Sequence, residues 1–417
     1  MYKYVIEGGR PLQGIVSASG AKNAALPLLF ATLLTDEDCV LTRVPDLRDI
    51  KTTFQLLEYL GKRVSYSRGR AVVRAGKKLS TAAPYELVKQ MRASVLVAGP
   101  LLARFKRASV PLPGGCAIGL RPIDIHLKGF ACLGAAVSTH AGNVVLEAEK
   151  LSGCRFKMGF PSVGATQNMA MCAVLTPGVT VIENIALEPE NDDLYDFLRK
   201  MGARIERSGN KLTVRGVEKL RGARHAVIAD RIEAGTYLIA GAATRGQVTV
   251  EDCNPEHLRA VLEKLSETGA DVTETENSIT VDMRDRIPKA ADIKTLPYPG
   301  FPTDLQAPWM AYMTVAEGKS IIAEDIFENR FMHAPELARM GAMIAVDGKN
   351  ALVEGAPELS GASVMASDLR GGAALCVAGL AACGKSEVLR VYHIERGYEK
   401  IHKKLSALGA KVRRVKY

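Results

Sequence analysis

Metal-ligand spacing is missing from this sequence: it has no CxxC and no HxxxH, and its seven histidines and eight cysteines form no cluster with carboxylates. No metal site is expected, and no cofactor. The cysteines follow no disulfide framework either, and most lie in apolar stretches such as MAMCAVL and AALCVAGLAAC. That usage points to a reducing compartment. Long hydrophobic runs are absent: the apolar stretch Gly371 to Gly384 falls short of the roughly 20 residues that a membrane-spanning helix needs. The opening MYKYVIEGGR lacks the apolar core of a signal peptide, so a cytoplasmic location is the default expectation. Basic residues outnumber acidic ones 55 to 45, a net charge of +10, yet they form no dense run and no aromatic-interleaved stripe. Neither nucleic acid nor a membrane is therefore expected as a partner, and no obligate protein partner is evident. Scattered arginines suit small anionic ligands, with a plain solvated surface as the competing explanation.

What the sequence does contain is repetition. With 47% hydrophobic and 24% charged residues it reads as globular, and its 417 residues fit two domains of about 200 each. A helix ending in glycine recurs six times, at LLEYLGKRV, FACLGAAV, FLRKMGARI, LSETGADV, LARMGAMI and LSALGAKV. The glycines Gly61, Gly134, Gly202, Gly269, Gly341 and Gly409 are 67 to 73 residues apart, each a helix stop followed by a strand. A second phrase opens units, as in RPLQGIVSASG, EKLSGCRFKMG, EKLRGARHAVI and PELSGASVMAS. The first unit reads as strand 13–17, helix 21–33, strand 38–44, helix 48–60 and a hairpin of strands 62–66 and 70–74. This is a βαβαββ unit, present six times. The sixth stops at AKVRRVKY without a last strand, and the orphan N-terminal strand matches the ends of other units, so it is expected to complete the sixth. The domains are then 21–229, three units including Cys116, and 1–20 with 230–417, three units holding both chain ends. Two α/β domains joined by two crossing strands imply a cleft for ligands.

Each unit's first helix starts just after a strand, where unpaired N–H groups and the positive end of the helix dipole gather. The six starts read SGAKNAA, KQMRASV, PSVGATQN, IADRIEAG, FPTDLQAP and ASDLRGGAA, and four hold a cation: Lys22, Arg92, Arg231 and Arg370. Cations oppose the dipole there unless an anion binds, so the starts point to phosphate or carboxylate ligands; exposed side chains beside capped helices are the plain alternative. Asp230, Asp304 and Asp368 occupy corresponding places and suit N-caps. Asp304, in the turn YPGFPTDLQ, is the best placed of them to act as a base. GLAACGKS, Gly379 to Ser386, matches a phosphate-loop pattern but stands between a helix and a strand, the reverse of what that loop requires.

Cys116 follows two glycines on a loop shared with Lys106, Arg107 and Arg121, accessible and positively surrounded as a reactive thiol must be. It is equally readable as an incidental small residue after a Gly-Gly turn. PGGCAIGLRPIDIH, with SGAKNAALP, PYPGFPTDLQ, FENRFMH, SDLR and YHIERGYEKI, closely resembles the UDP-N-acetylglucosamine 1-carboxyvinyltransferases, also called UDP-N-acetylglucosamine enolpyruvyl transferases. The shared motifs run from Val5 to beyond Arg396 in the same order and at nearly the same spacing.

The resemblance implies an α/β fold of two inside-out domains, each of three βαβαββ units. It also implies the reaction: the 3-hydroxyl of the glucosamine attacks C2 of phosphoenolpyruvate while C3 is protonated, then phosphate and a C3 proton leave. That reaction is the first committed step of peptidoglycan precursor synthesis, and so bears on cell shape and division. Cys116 matches the cysteine that protonates C3 and can carry a covalent phosphoenolpyruvate adduct, and Asp304 the carboxylate that takes the hydroxyl proton. Lys22, Asn23, Arg121 and Arg396 match residues around phosphoenolpyruvate and the reacting centre, with Arg370 and Arg330 nearby. Arg92, Arg121, Pro122, Ile123, Asp124, Ile125, Ser162, Val163 and Ile326, with Asp304, match the nucleotide-sugar site. Arg231 and Asp368 are expected in support. Two departures stand out, Asn191 and Asp192 in place of an aliphatic pair, and the double glycine Gly371–Gly372 where at least one Ala or Ser is usual. They leave open a principal enzyme or a second copy. The rivals are a transferase acting on shikimate 3-phosphate, which lacks the PGGC loop, and a non-catalytic regulatory binder, which would have lost Cys116, Lys22 or Asp304.

Overall fold

In the computed structural model, which describes residues 1–76, 78–112 and 123–417, all six repeat glycines take a left-handed backbone, with φ between +87° and +110°. A side chain is strained in that region, so glycine ends each helix and lets the chain turn directly into a strand. Two compact units result: Met1–Ser19 with Ala229–Tyr417, and the described residues between Gly20 and Ile228.

In the unit between Gly20 and Ile228, the helices Lys22–Ala31, Ala98–Phe105 and Val163–Ala173 bury almost every residue, as helices without a polar face must. They form the centre of one apolar core with the buried faces of Arg48–Tyr59 and Pro189–Lys200. The sheet order Arg224–Ala226, Cys39–Thr42, Arg70–Arg74, Arg63–Ser67 recurs in kind as Arg155–Lys157, Val179–Glu183, Lys211–Arg215, Arg204–Ser208. The first pair in each is parallel and the others antiparallel. The second repeat departs from this: among the described residues its sheet has three strands, Arg107–Pro111, Asn143–Glu147 and Ala136–His140, and a single bridge, Ala82 to Ser109, where the opening strand is expected.

In the other unit the central helices are Arg231–Ala243, Thr303–Met313 and Leu369–Ala381, packed on one another within a second core. The strand Tyr2–Glu7 lies between Lys385–Leu389 and Lys411–Lys416, antiparallel to both, and supplies the strand the sixth repeat lacks. The strand Gln13–Ser17 does not join the sheet of the first repeat. It pairs in parallel with Gln247–Glu251, while the first repeat receives Arg224–Ala226 instead. The chain passes from one unit to the other after each of these strands, so each stays with the sheet of the unit it is about to leave. The expected helix 21–33 ends at Ala31 and tightens into a 3-10 turn, Thr32–Leu34. Gly379 to Ser386 runs from the helix Leu369–Ala381 into the strand Lys385–Leu389, which excludes a phosphate loop there.

Candidate functional site

Asp304 is the second residue of its helix, after the N-cap position Pro302, so it is not the cap its neighbours' pattern suggests. Asp230 and Asp368 are caps: the first accepts from the N–H groups of Ile232 (2.9 Å) and Glu233 (3.0 Å), the second from those of Arg370 (3.0 Å) and Gly371 (3.2 Å). Freed from capping, the Asp304 carboxylate takes two guanidiniums. Arg330 Nη2 donates to Oδ1 at 2.8 Å and Arg370 Nη2 to Oδ2 at 2.7 Å. Both arginine side chains are only 4% exposed, against 27% for Asp304. Burial alone would make Arg370 easier to deprotonate, but Asp304, Tyr398 and Asp230 outweigh it and hold the guanidinium more firmly charged than usual.

The surroundings extend this cluster. The Tyr398 hydroxyl, 2.9 Å from Thr236 Oγ1, lies beside the Arg370 guanidinium. Nε of Arg330 and Nε of Arg370 are buried without an acceptor among the described residues. His333, three residues after Arg330, is fully buried, and neither of its ring nitrogens has a hydrogen-bond partner among the described residues. Burial, which Asp368 opposes and Arg330 reinforces, takes it down to about 4, so it is neutral at physiological pH. Asp368 is held ionised against its burial by Arg330, the Gly371 N–H and Ser367. Glu324, which no motif marks, is 1% exposed and accepts from Thr303 Oγ1 (2.8 Å), Ile326 N (2.9 Å) and Phe327 N (3.1 Å). It thereby ties the backbone of Ile326 to the first turn that carries Asp304. Arg231 is buried over the ring of Tyr298, and Arg396 ends the 3-10 turn Ile394–Arg396, half-buried.

A second group lies in the unit between Gly20 and Ile228. Lys22 opens its helix, and its Nζ is 3.4 Å from Oδ2 of Asp49, a buried carboxylate that no motif marks. Asn23, next to it, is exposed. Arg92 opens the 3-10 segment Arg92–Val97, not an α-helix; the helix begins at Ala98. Ile123 is the N-cap of Asp124–Cys132, whose first turn holds Asp124 and Ile125, and Ser162 caps Val163–Ala173 by accepting from Ala165 N at 3.4 Å. The helix Val163–Ala173 packs against both of the other two elements, and so links the segments that start at Arg92, Asp124 and Val163. Cys116, Arg121 and Pro122 lie outside the described residues. No group of three or more His, Cys, Asp or Glu that could hold a metal occurs among the described residues, and no helix there is long and apolar enough to cross a membrane.

Anion-compatible helix starts, a carboxylate held by two arginines and six repeats in two units agree with what comparison with known proteins finds. The family model for EPSP synthase (3-phosphoshikimate 1-carboxyvinyltransferase) matches residues 6–405. A UDP-N-acetylglucosamine 1-carboxyvinyltransferase of Elusimicrobium minutum is 56% identical over 99% of this chain and 98% of its own. UDP-N-acetylglucosamine 1-carboxyvinyltransferase 2 of Carboxydothermus hydrogenoformans is 52% identical over the full length of both. Among solved structures, the enolpyruvyl transferase NikO from Streptomyces tendae superposes with a TM-score of 0.89 at 24% identity over 99% of each chain. EPSP synthase from Acinetobacter baumannii does so with 0.78 at 18% over all of both chains. The two structures speak for the fold, and the two sequences separate its branches. The chain belongs to the enolpyruvyl transferase family, and within it to the UDP-N-acetylglucosamine 1-carboxyvinyltransferases.

Proposed function

We propose that this chain transfers the enolpyruvyl group of phosphoenolpyruvate to the 3-hydroxyl of UDP-N-acetylglucosamine by addition and elimination, releasing phosphate. The observation that carries this reading is Asp304 between two buried guanidiniums with N–H groups left over. A carboxylate is ordinarily ionised at neutral pH, the form that can accept a proton. An anionic substrate competes for the same guanidiniums, so its arrival loosens Asp304 as the hydroxyl must be deprotonated. Preorganised N–H donors then meet the charge that develops as phosphate departs. Cys116 supplies the proton to C3 and can hold phosphoenolpyruvate covalently. A thiol has an ordinary value of about 8.5 and is mostly protonated at neutral pH, which suits that role.

Lys22, Asn23, Arg121, Arg370 and Arg396 bind phosphoenolpyruvate. Arg92, residues 121–125, Ser162, Val163, Asp304 and Ile326 bind the nucleotide sugar. Arg231, Arg330 and Asp368 support them. The loop cysteine belongs to domain 21–229, and the base to the domain of 1–20 with 230–417. The product enters peptidoglycan precursor synthesis in the cytoplasm, and through it cell-wall growth, cell shape and division. Identity of 50% or more to enzymes named for the nucleotide sugar, against 18% to an EPSP synthase, supports this substrate over shikimate 3-phosphate.

Phosphate release from phosphoenolpyruvate tests the reading. It is expected to require UDP-N-acetylglucosamine, to be absent with shikimate 3-phosphate, and to fall by about a hundredfold or more in Cys116→Ser. Nucleotide-sugar binding without any phosphate release would favour the regulatory alternative.

A further inference from the structure

Beneath the segment starts that carry Arg92, Asp124 and Ser162 lies one side chain that touches all three segments. Asn168, on the helix Val163–Ala173, is fully buried. Its Nδ2 donates to the carbonyl of Val95 at 3.1 Å, three residues past Arg92, and pairs with Nδ1 of His126 at 2.9 Å, two residues past Asp124. Its Oδ1 accepts from Gly99 N at 3.0 Å, where the Ala98–Phe105 helix begins. Since Nδ2 has two hydrogens and no lone pair to offer, His126 must accept at Nδ1 and carry its proton on Nε2. Burial, with Arg92 adding to it against Asp124, takes His126 down to about 4, so it holds this neutral form.

The packing leaves no slack. A Cβ on Gly99 would lie 2.5 Å from the Asn168 carbonyl oxygen, and one on Gly129 would lie 2.0 Å from Met169 Sδ. A Cβ on Gly164, in the first turn after Ser162, would stand 3.2 Å from Cε1 of the His126 ring. A satisfied buried polar network of this kind selects one arrangement of the backbones it joins, and a misplacement of about 1 Å at a binding group is enough to cost about a hundredfold.

We propose that Asn168, acting through His126, Val95 and Gly99, is the positioning residue that fixes the three segments of the nucleotide-sugar site in a common register. This rests on the function proposed above. The network joins the segments that carry the candidate nucleotide-sugar contacts of this unit, and it does so within two turns of their starts.

The test compares wild-type protein with Asn168→Asp and Gly164→Ala. The first keeps size and the acceptor for Gly99 but loses both donations; the second removes no polar group and only displaces the His126 ring. Calorimetric titration with UDP-N-acetylglucosamine is expected to show Kd raised about tenfold or more in Asn168→Asp and severalfold in Gly164→Ala. KM for phosphoenolpyruvate, taken at saturating nucleotide sugar, is expected to stay within twofold. A merely structural role would lower Tm and the active fraction and leave Kd unchanged. Wild-type Kd in a folded Asn168→Asp, or equal shifts in the two KM values, overturns the proposal. Should Asn168→Asp fail to fold, the Kd of Gly164→Ala decides alone. Absence of binding by the wild-type protein would instead sink the functional reading itself, which separates the two failures.

Discussion

Asp304 holds two guanidiniums that water barely reaches, and this sets what its replacement must do. Asparagine keeps the shape and one acceptor oxygen but leaves Arg330 and Arg370, each 4% exposed, without the charge between them. Breaking a buried ion pair from one side costs up to a few kcal/mol, less here because the carboxylate is partly exposed. Asp304→Asn is therefore expected to lower Tm by several degrees and kcat by about 10² to 10⁴, the general-base contribution. Phosphate-release kinetics beside a thermal melt check this. A kcat within tenfold of wild type would remove Asp304 from the role of base. The sequence pointed to Asp304 through its turn, yet its residue pattern suggested a cap. Only the tertiary structure shows that Arg330 and Arg370, 26 and 66 residues away, occupy the carboxylate instead. Lys22–Asp49 and Glu324 were illegible for the same reason: a lone acidic residue in a polar stretch carries no local sign of what it will meet.

At the scale of elements, the double glycine Gly371–Gly372 makes the start of the Leu369–Ala381 helix thin where other segments crowd it. A Cβ on Gly372 would meet Cγ1 of Ile394 at 2.5 Å and Cβ of Ala366 at 2.9 Å. Ile394 belongs to the 3-10 turn that ends at Arg396. Gly372→Ala must push that turn from the helix, and overpacking of this kind costs about 1–3 kcal/mol. Tm is expected to drop by about 2–10 °C, with KM for phosphoenolpyruvate raised severalfold because Arg396 moves. An unchanged KM together with a lowered Tm would show that the turn carries no phosphoenolpyruvate contact. Asn191, the other position singled out in the sequence, is buried with its amide satisfied: it accepts from Gln167 Nε2 and donates to the Ala186 carbonyl, each at 2.9 Å. Elements themselves were well legible, since the first repeat's strands and helices fall within a few residues of where periodicity and helix stops put them. Pairing was not. The partner of Gln13–Ser17 is Gln247–Glu251, more than two hundred residues on, and nothing in a five-residue strand specifies its neighbour.

For the molecule as a whole, each unit buries a histidine that stays neutral, His126 in one and His333 in the other, both taken from 6.5 down to about 4. Unfolding lets each regain the ordinary value, so the unfolded chain binds more protons between those limits. Stability from this source is complete above pH 6.5 and lost as the pH falls toward 4, because the folded state resists charging. The drop from 6.5 to about 4 corresponds to roughly 3 kcal/mol per histidine at most. Asp368, held ionised, acts in the same direction at lower pH, so acid sensitivity alone does not isolate the histidines. Variants do. His126→Gln and His333→Gln are each expected to be less stable than wild type at pH 7. Each should also lose about half of the histidine-linked decline between pH 6.5 and 4, seen in urea-denaturation midpoints across that range. For His126→Gln, nucleotide-sugar affinity should weaken as well, because the ring that meets Asn168 has been replaced, whereas His333→Gln should leave that affinity near wild type. If both variants track the wild-type pH curve, the imidazoles take up protons in the folded protein as readily as in the unfolded chain, and burial does not hold His126 below pH 6.5 in the neutral form that Asn168 requires.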